Sequence, residues 1–229
     1  MTHARWQRYI ALGDSLTGGF RDPAPTRRGA FGMRADRSAP SDRLGWADRL
    51  AAILDRDARL GGADRGGVEF ADLAVRGRRF RDIVEDQIPR SVELRADLVS
   101  LMIGGEYLTG PRGDPDALAA RLDEGVAALR ASGADVLLAT SFDPRSAPRL
   151  RPLRSRTAAF NAHLWSIARG HGTFVLDVWG LRELQDPGFW AEDGAHLSAL
   201  GHRLLASRAA HSLGVAYAEV GPPRLGLRA

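Results

Sequence analysis

Short apolar runs alternate with longer amphipathic stretches along this chain, a pattern that predicts a parallel sheet covered by helices on both faces. The apolar runs predict strands near residues 9–12, 68–73, 97–103, 135–140 and 173–178. Between them, helical spacing of apolar positions predicts helices at about 45–60, 116–131, 153–169 and 197–213. Asp114 and Pro115 open the second of these with an N-cap and a proline at the first helical position, and Ser132-Gly133 close it. The expected fold is a single three-layer α/β/α domain with a parallel sheet of about five strands, spanning residues 1–214. No internal repeat is visible, and the tail 215–229, with Gly221-Pro222-Pro223, is expected to be poorly ordered.

Two segments fall outside this alternation. Residues 20–40, rich in Pro, Gly and Arg, suit a lid or substrate loop as well as a long solvated loop. Residues 143–156 carry Arg145, Arg149, Arg151, Arg154 and Arg156, which suit recognition of a phosphate or carboxylate but suit a solvated arginine-rich face better.

Composition narrows the function class. With 44% hydrophobic and 26% charged residues in 229, the chain can bury a sizeable single core, which excludes disorder and fibre. A net charge of +4 comes entirely from arginine among the basic residues, and the absence of lysine beside abundant Ala and Gly predicts a GC-rich, bacterial genome. Basicity is then compositional, and no aromatic-interleaved basic face points to nucleic acid. Without cysteine there is no disulfide framework, thiolate nucleophile or zinc-thiolate site. No run approaches the ~20 apolar residues of a membrane span, and the first residues have no apolar stretch of a secretory signal, so a cytoplasmic location is expected. Neither glycine-rich phosphate-loop pattern is present, so no nucleotide cofactor is expected.

Chemistry enters at the strand ends. Ser15 follows Gly13-Asp14 where the first strand stops, the edge at which open α/β sheets place ligands. A serine hydroxyl needs a base within hydrogen-bond reach, and Asp193-Gly194-Ala195-His196 supplies an imidazole with a carboxylate three residues before it. The carboxylate would fix the imidazole tautomer and stabilise the imidazolium. Ser15, Gly77 and Glu106 all fall just after the first three strands, so residues far apart in sequence would meet at one edge.

These residues resemble the SGNH, or GDSL-type, hydrolase superfamily over about residues 8–213. Gly13-Asp14-Ser15-Leu16 matches the family's first block, Asp72-Leu73-Ala74-Val75-Arg76-Gly77 is similar to its Asn-Leu-Ala-x-x-Gly run, and Asp193 and His196 match its Asp-x-x-His, with Leu197-Ser198 following. The resemblance implies serine hydrolysis of a small ester or thioester through an acyl-enzyme, with no metal or other cofactor. Ser15 would be the nucleophile, His196 the base and Asp193 its partner. The backbone N–H groups of Ser15 and Gly77 would receive the oxyanion.

One signature residue differs. Where the family has Gly-x-Asn-Asp, this chain reads Gly104-Gly105-Glu106-Tyr107, so Glu106 stands in place of an asparagine whose amide donates to the oxyanion. Losing such a donor costs ~100- to 1,000-fold in turnover. An ionised carboxylate has no donor, and a negative charge roughly 4 Å from an oxyanion costs about 4 kcal/mol at an effective dielectric near 20. Four readings of Glu106 stand open. Its side chain turns away, for example to Arg76 or Arg78; or burial keeps it protonated as a donor; or it takes part in altered chemistry, as in an acyltransferase or other biosynthetic enzyme; or the site binds without turnover.

Other residues suit structural roles. Asp14 is expected to bond its own turn. His163, His171, His202 and His211 lack the spacing or acidic partners of a metal site. Trp179, Phe189 and Trp190 suit core or loop packing better than the wall of an acyl pocket, and Asn161 lies within a helical run, away from the third strand.

Overall fold

The computed structural model describes residues 6–18, 44–60, 67–75, 80–109 and 113–215, and of Gly18, Gly105 and Glu106 the backbone alone. Five parallel strands form one sheet in the order β2-β1-β3-β4-β5: β1 (Arg8–Gly13), β2 (Glu69–Asp72), β3 (Leu98–Met102), β4 (Asp135–Ala139) and β5 (Phe174–Leu176). The register pairs Tyr9 with Phe70 on one side of β1 and with Leu98 on the other. All five predicted strands are present; β1 is one residue longer at each end than predicted, and the other four are trimmed by one to three residues in all.

The two-residue period of the strands sorts their apolar side chains to opposite faces. Tyr9, Ala11, Leu98, Met102, Leu137 and Ala139 face a core shared with α2 (Trp46–Leu60) and α7 (Ala199–Ser212). Ile10, Leu12, Val99, Leu101, Val136 and Leu138 face a second core built with α5 (Pro115–Ala131) and α6 (Arg154–His171). The inner strands are buried on both sides, which is why they read as continuous apolar runs. Ser100 is the polar exception in β3, and its hydroxyl pairs with the buried Tyr9 hydroxyl at 2.7 Å.

The helix boundaries follow their caps. Asp114 accepts from the Asp116 N–H ahead of Pro115, as the sequence predicts. At α7 the predicted start shifts: Leu197 instead forms an antiparallel bridge with Trp190, and Ser198 caps the helix by accepting from the Gly201 N–H at 3.2 Å.

Two α-helical regions were not predicted. A short α1 (Ser15–Gly18) follows β1, and between β2 and β3 lie α3 (Phe80–Asp82), a π turn (Ile83–Gln87) and α4 (Ile88–Glu93). Phe80, Ile83 and Ile88 point inward at helical spacing, but two further inward positions are the polar Gln87 and Ser91, and Pro89 interrupts the run. Proline cannot donate to the helix ladder. The π turn, closed by the Ile88 N–H on the Ile83 carbonyl, widens the helix just ahead of the proline ring.

Because β2 and β3 flank β1, the chain reverses direction across the sheet between β1 and β3. Open α/β sheets bind ligands in the crevice at such a switch, beyond the strands' carboxyl ends. Ser15 follows β1 there, and Gly104 follows β3.

Candidate active site

Ser15 begins α1 directly after the β1 strand, and the turn that holds it is tied on several sides. Gly13 has φ 145°, and a Cβ on it would lie 2.4 Å from the Met102 carbonyl oxygen, so glycine is required. Gln87 reaches from the π turn to bond both backbone groups of Gly13, accepting from its N–H at 2.8 Å and donating to its carbonyl at 3.0 Å.

Asp14 is almost fully buried. Its Oδ1 accepts from the Leu16 N–H at 2.9 Å and its Oδ2 from the Gly104 N–H at 3.0 Å, and the Tyr107 hydroxyl also bonds to it. Burial pushes the Asp14 carboxyl above the usual carboxylate range, although these bonds oppose the shift. Asp14 therefore bonds more than its own turn: it reaches across to Gly104, ahead of the 3₁₀ turn Gly105–Leu108, and to Tyr107 within it, one before and one after Glu106. The Glu106 side chain lies outside the described residues, as do Arg76, Gly77, Arg78 and the whole of residues 20–40.

Asp193 and His196 sit on a loop folded back on itself. Trp190 bridges Leu197, the Ala191 N–H donates to the His196 carbonyl at 2.8 Å, and the Ser198 N–H donates to the Phe189 carbonyl at 3.0 Å. At its tip, Gly194 has φ 63°. Asp193 Oδ1 accepts from the N–H groups of Ala195 at 2.9 Å and His196 at 3.0 Å, while Oδ2 meets His196 Nδ1 at 2.6 Å. Burial pushes the Asp193 carboxyl up, but the three donors outweigh it and hold the carboxyl at about 2. An ionised carboxylate accepts only, so Nδ1 carries the hydrogen and Nε2 is the imidazole's basic nitrogen.

The segments that carry Ser15 and His196 share the α2/α7 core. Leu16 and Leu197, the residues after Ser15 and His196, are buried in the same apolar cluster. His202, on α7, accepts from the Trp46 N–H at 3.1 Å and so caps the start of α2, which packs against α1. Burial, with Arg49 and His196 nearby, lowers the His202 pKa to about 4 and keeps its ring neutral.

The remaining candidates are engaged structurally. Asn161 clamps Ser141 beyond β4, accepting from its N–H and donating to its carbonyl, both at 2.9 Å. Trp190 packs on Phe142 with ring centroids 4.6 Å apart and donates to the Leu184 carbonyl. In the arginine-rich segment, Arg145 and Arg154 both pair with the buried Asp143, and Arg154 also lies 5.3 Å from the centre of the Trp179 ring. Arg156 donates to the Leu108 carbonyl at 3.1 Å. Two of the histidines each have one acidic partner, His163 with Asp116 at 2.6 Å and His171 with Asp123 at 2.8 Å. Each is a single pair, and among the described residues no group of three or more His, Cys, Asp or Glu could hold a metal. Nor is any helix there long and apolar enough to cross a membrane.

Gln87 was missed by sequence reading. The available signal was a polar residue at an inward position of the Phe80, Ile83, Ile88 spacing.

The model of the GDSL-like lipase/acylhydrolase family matches residues 11–204. No curated protein matches the chain. Among solved structures it is similar to Axe2, an acetylxylan esterase from Geobacillus stearothermophilus, with 18% identity, a TM-score of 0.73 and coverage of 94% of this chain and 97% of that one. It is also similar to LAE5, an α/β hydrolase enzyme from the metagenome of Lake Arreo, with 23% identity, a TM-score of 0.73 and coverage of 93% and 97%. TesA is 21% identical, with a TM-score of 0.62 and coverage of 90% and 98%. At these identities the structural likeness speaks to the fold.

Proposed function

Since the chain belongs to the GDSL-like lipase/acylhydrolase family and is an ester-cleaving hydrolase, we propose that it hydrolyses a small ester or thioester through an acyl-enzyme on Ser15. The observation that carries this reading is the Asp193–His196 pair, whose 2.6 Å bond to Nδ1 directs the basic Nε2 away from the carboxylate. Catalytic mutants of Axe2 at a serine and at a histidine are in keeping with it.

In this mechanism Ser15 Oγ attacks the carbonyl carbon as His196 Nε2 takes its proton. Asp193, ionised throughout, stabilises the imidazolium. The tetrahedral intermediate collapses, and His196 returns the proton to the departing alcohol or thiol. A water then attacks the acyl group, with His196 again as base, and the acid leaves. The Ser15 N–H, at the first position of α1 where no intrahelical acceptor exists, and the Gly77 N–H would hold the oxyanion. Glu106 would supply no third donor, so turnover rests on two backbone groups.

Rates on short-chain p-nitrophenyl esters test this directly. Wild-type activity that vanishes in Ser15→Ala supports it, whereas equal activity in the two proteins overturns it.

A further inference from the structure

We propose that Gln87 is a positioning residue that sets the peptide geometry from which Ser15 is presented. This rests on the reading of Ser15 as nucleophile.

In a parallel sheet, alternate residues of a strand direct both backbone groups to the same neighbour. Along β1, Ala11 directs its groups to β2, where the Leu73 N–H bonds its carbonyl at 2.9 Å. Gly13, two residues on, points the same way, but β2 ends at Asp72 and the Val75 N–H reaches the Gly13 carbonyl only at 3.4 Å. The Gln87 carboxamide occupies the place of the missing strand residue. Its Oε1 receives the Gly13 N–H at 2.8 Å and its Nε2 donates to the Gly13 carbonyl at 3.0 Å.

A carboxamide presents a carbonyl acceptor and an N–H donor in one plane, as a peptide group does. It is aimed here by the π turn, which carries Gln87 into a buried position. The clamp fixes the peptides on both sides of Gly13, and Ser15 follows after the single residue Asp14, itself held by Gly104. Displacements of about 1 Å at a reacting group cost on the order of 100-fold in rate, so the clamp acts on turnover through the direction of the Ser15 N–H and hydroxyl.

Gln87→Glu is a titratable copy of the clamp. Protonated, the acid keeps one donor and one acceptor; ionised, it sets a carboxylate against the Gly13 carbonyl. Burial raises its pKa. Glu85 in the same turn is paired with Arg121 at 2.6 Å and with Arg81 at 3.7 Å, so burial is the main cause of the shift. Relative to wild type, kcat of the variant is expected to fall as pH rises through that pKa, by about tenfold or more, with KM within about twofold.

The test is kcat and KM against pH for wild type, Gln87→Glu, Gln87→Met and Ser15→Ala. Active-site titration with a fluorophosphonate counts competent sites, and circular dichroism restricts the comparison to folded protein. Gln87→Met, which has neither bond and does not titrate, is expected to lose a similar factor at every pH. A Gln87→Glu profile that superimposes on wild type overturns the proposal. If that variant does not fold, a wild-type kcat for Gln87→Met overturns it. Activity retained in Ser15→Ala instead overturns the underlying reading of the nucleophile.

Discussion

Asp14 accepts a 3.0 Å hydrogen bond from the Gly104 N–H, joining the residue before Ser15 to the turn that carries Glu106. Leu16 donates to the other carboxylate oxygen. Two backbone donors therefore converge on one side chain, and only a group with two acceptors serves both. Asp14→Asn removes the buried charge but turns an NH₂ towards one N–H. A buried donor left unpaired costs about 1–3 kcal/mol. The variant is expected to be less stable by that amount, with a lower urea midpoint, and to lose turnover, as urea titration and ester hydrolysis would read.

Exchanging Asp193 for Asn tests the dyad. The amide would place a donor against Nδ1 and favour the tautomer that protonates Nε2, so kcat is expected to fall roughly 1,000- to 10,000-fold with little change in fold. Because the Asp193 carboxyl is held at about 2, wild type should show no activity loss from its protonation above about pH 3. A loss of less than tenfold would remove Asp193 from the mechanism.

Glu106 is tested by restoring the amide. If the serine machinery is intact and lacks one oxyanion donor, Glu106→Asn should gain ~100- to 1,000-fold in kcat on simple esters. If no gain appears, the side chain does not burden the oxyanion and the natural acceptor must be sought elsewhere.

His202 gives a pH dependence of stability with a definite sign. Its folded pKa, about 4, lies below the usual 6.5, so the unfolded chain binds the extra proton. The stability it contributes is full above pH 6.5 and is lost as pH falls towards 4, on the order of 3 kcal/mol in all. His202→Gln, which can still accept from the Trp46 N–H, should show a shallower fall between pH 6.5 and 4.5. Urea midpoints of both proteins across that interval would decide; parallel slopes would clear His202 of the effect.

Much of this molecule was readable from the chain because parallel strands buried on both faces leave unbroken apolar runs, as at Tyr9–Leu12 within β1. The Asp193–His196 pairing was readable for a different reason, since three residues is a reach that a single turn can close. Gln87 was hidden because its partner is a backbone group 74 residues away. No spacing rule marks a side chain that bonds to a peptide rather than to another side chain. The same holds for Asn161 on Ser141. Leu197 misled by continuing the apolar rhythm of α7, although its backbone bridges Trp190.

The loop around Asp193 and His196 closes on itself through bonds between near neighbours. Gathering groups so close along the chain costs little loop entropy, so Asp193 and His196 form a cassette whose internal geometry owes little to the sheet. What the sheet must then set is one long-distance relationship, that between this cassette and the turn after β1. Substitutions elsewhere in the domain should consequently alter how the cassette docks before they alter how it is built.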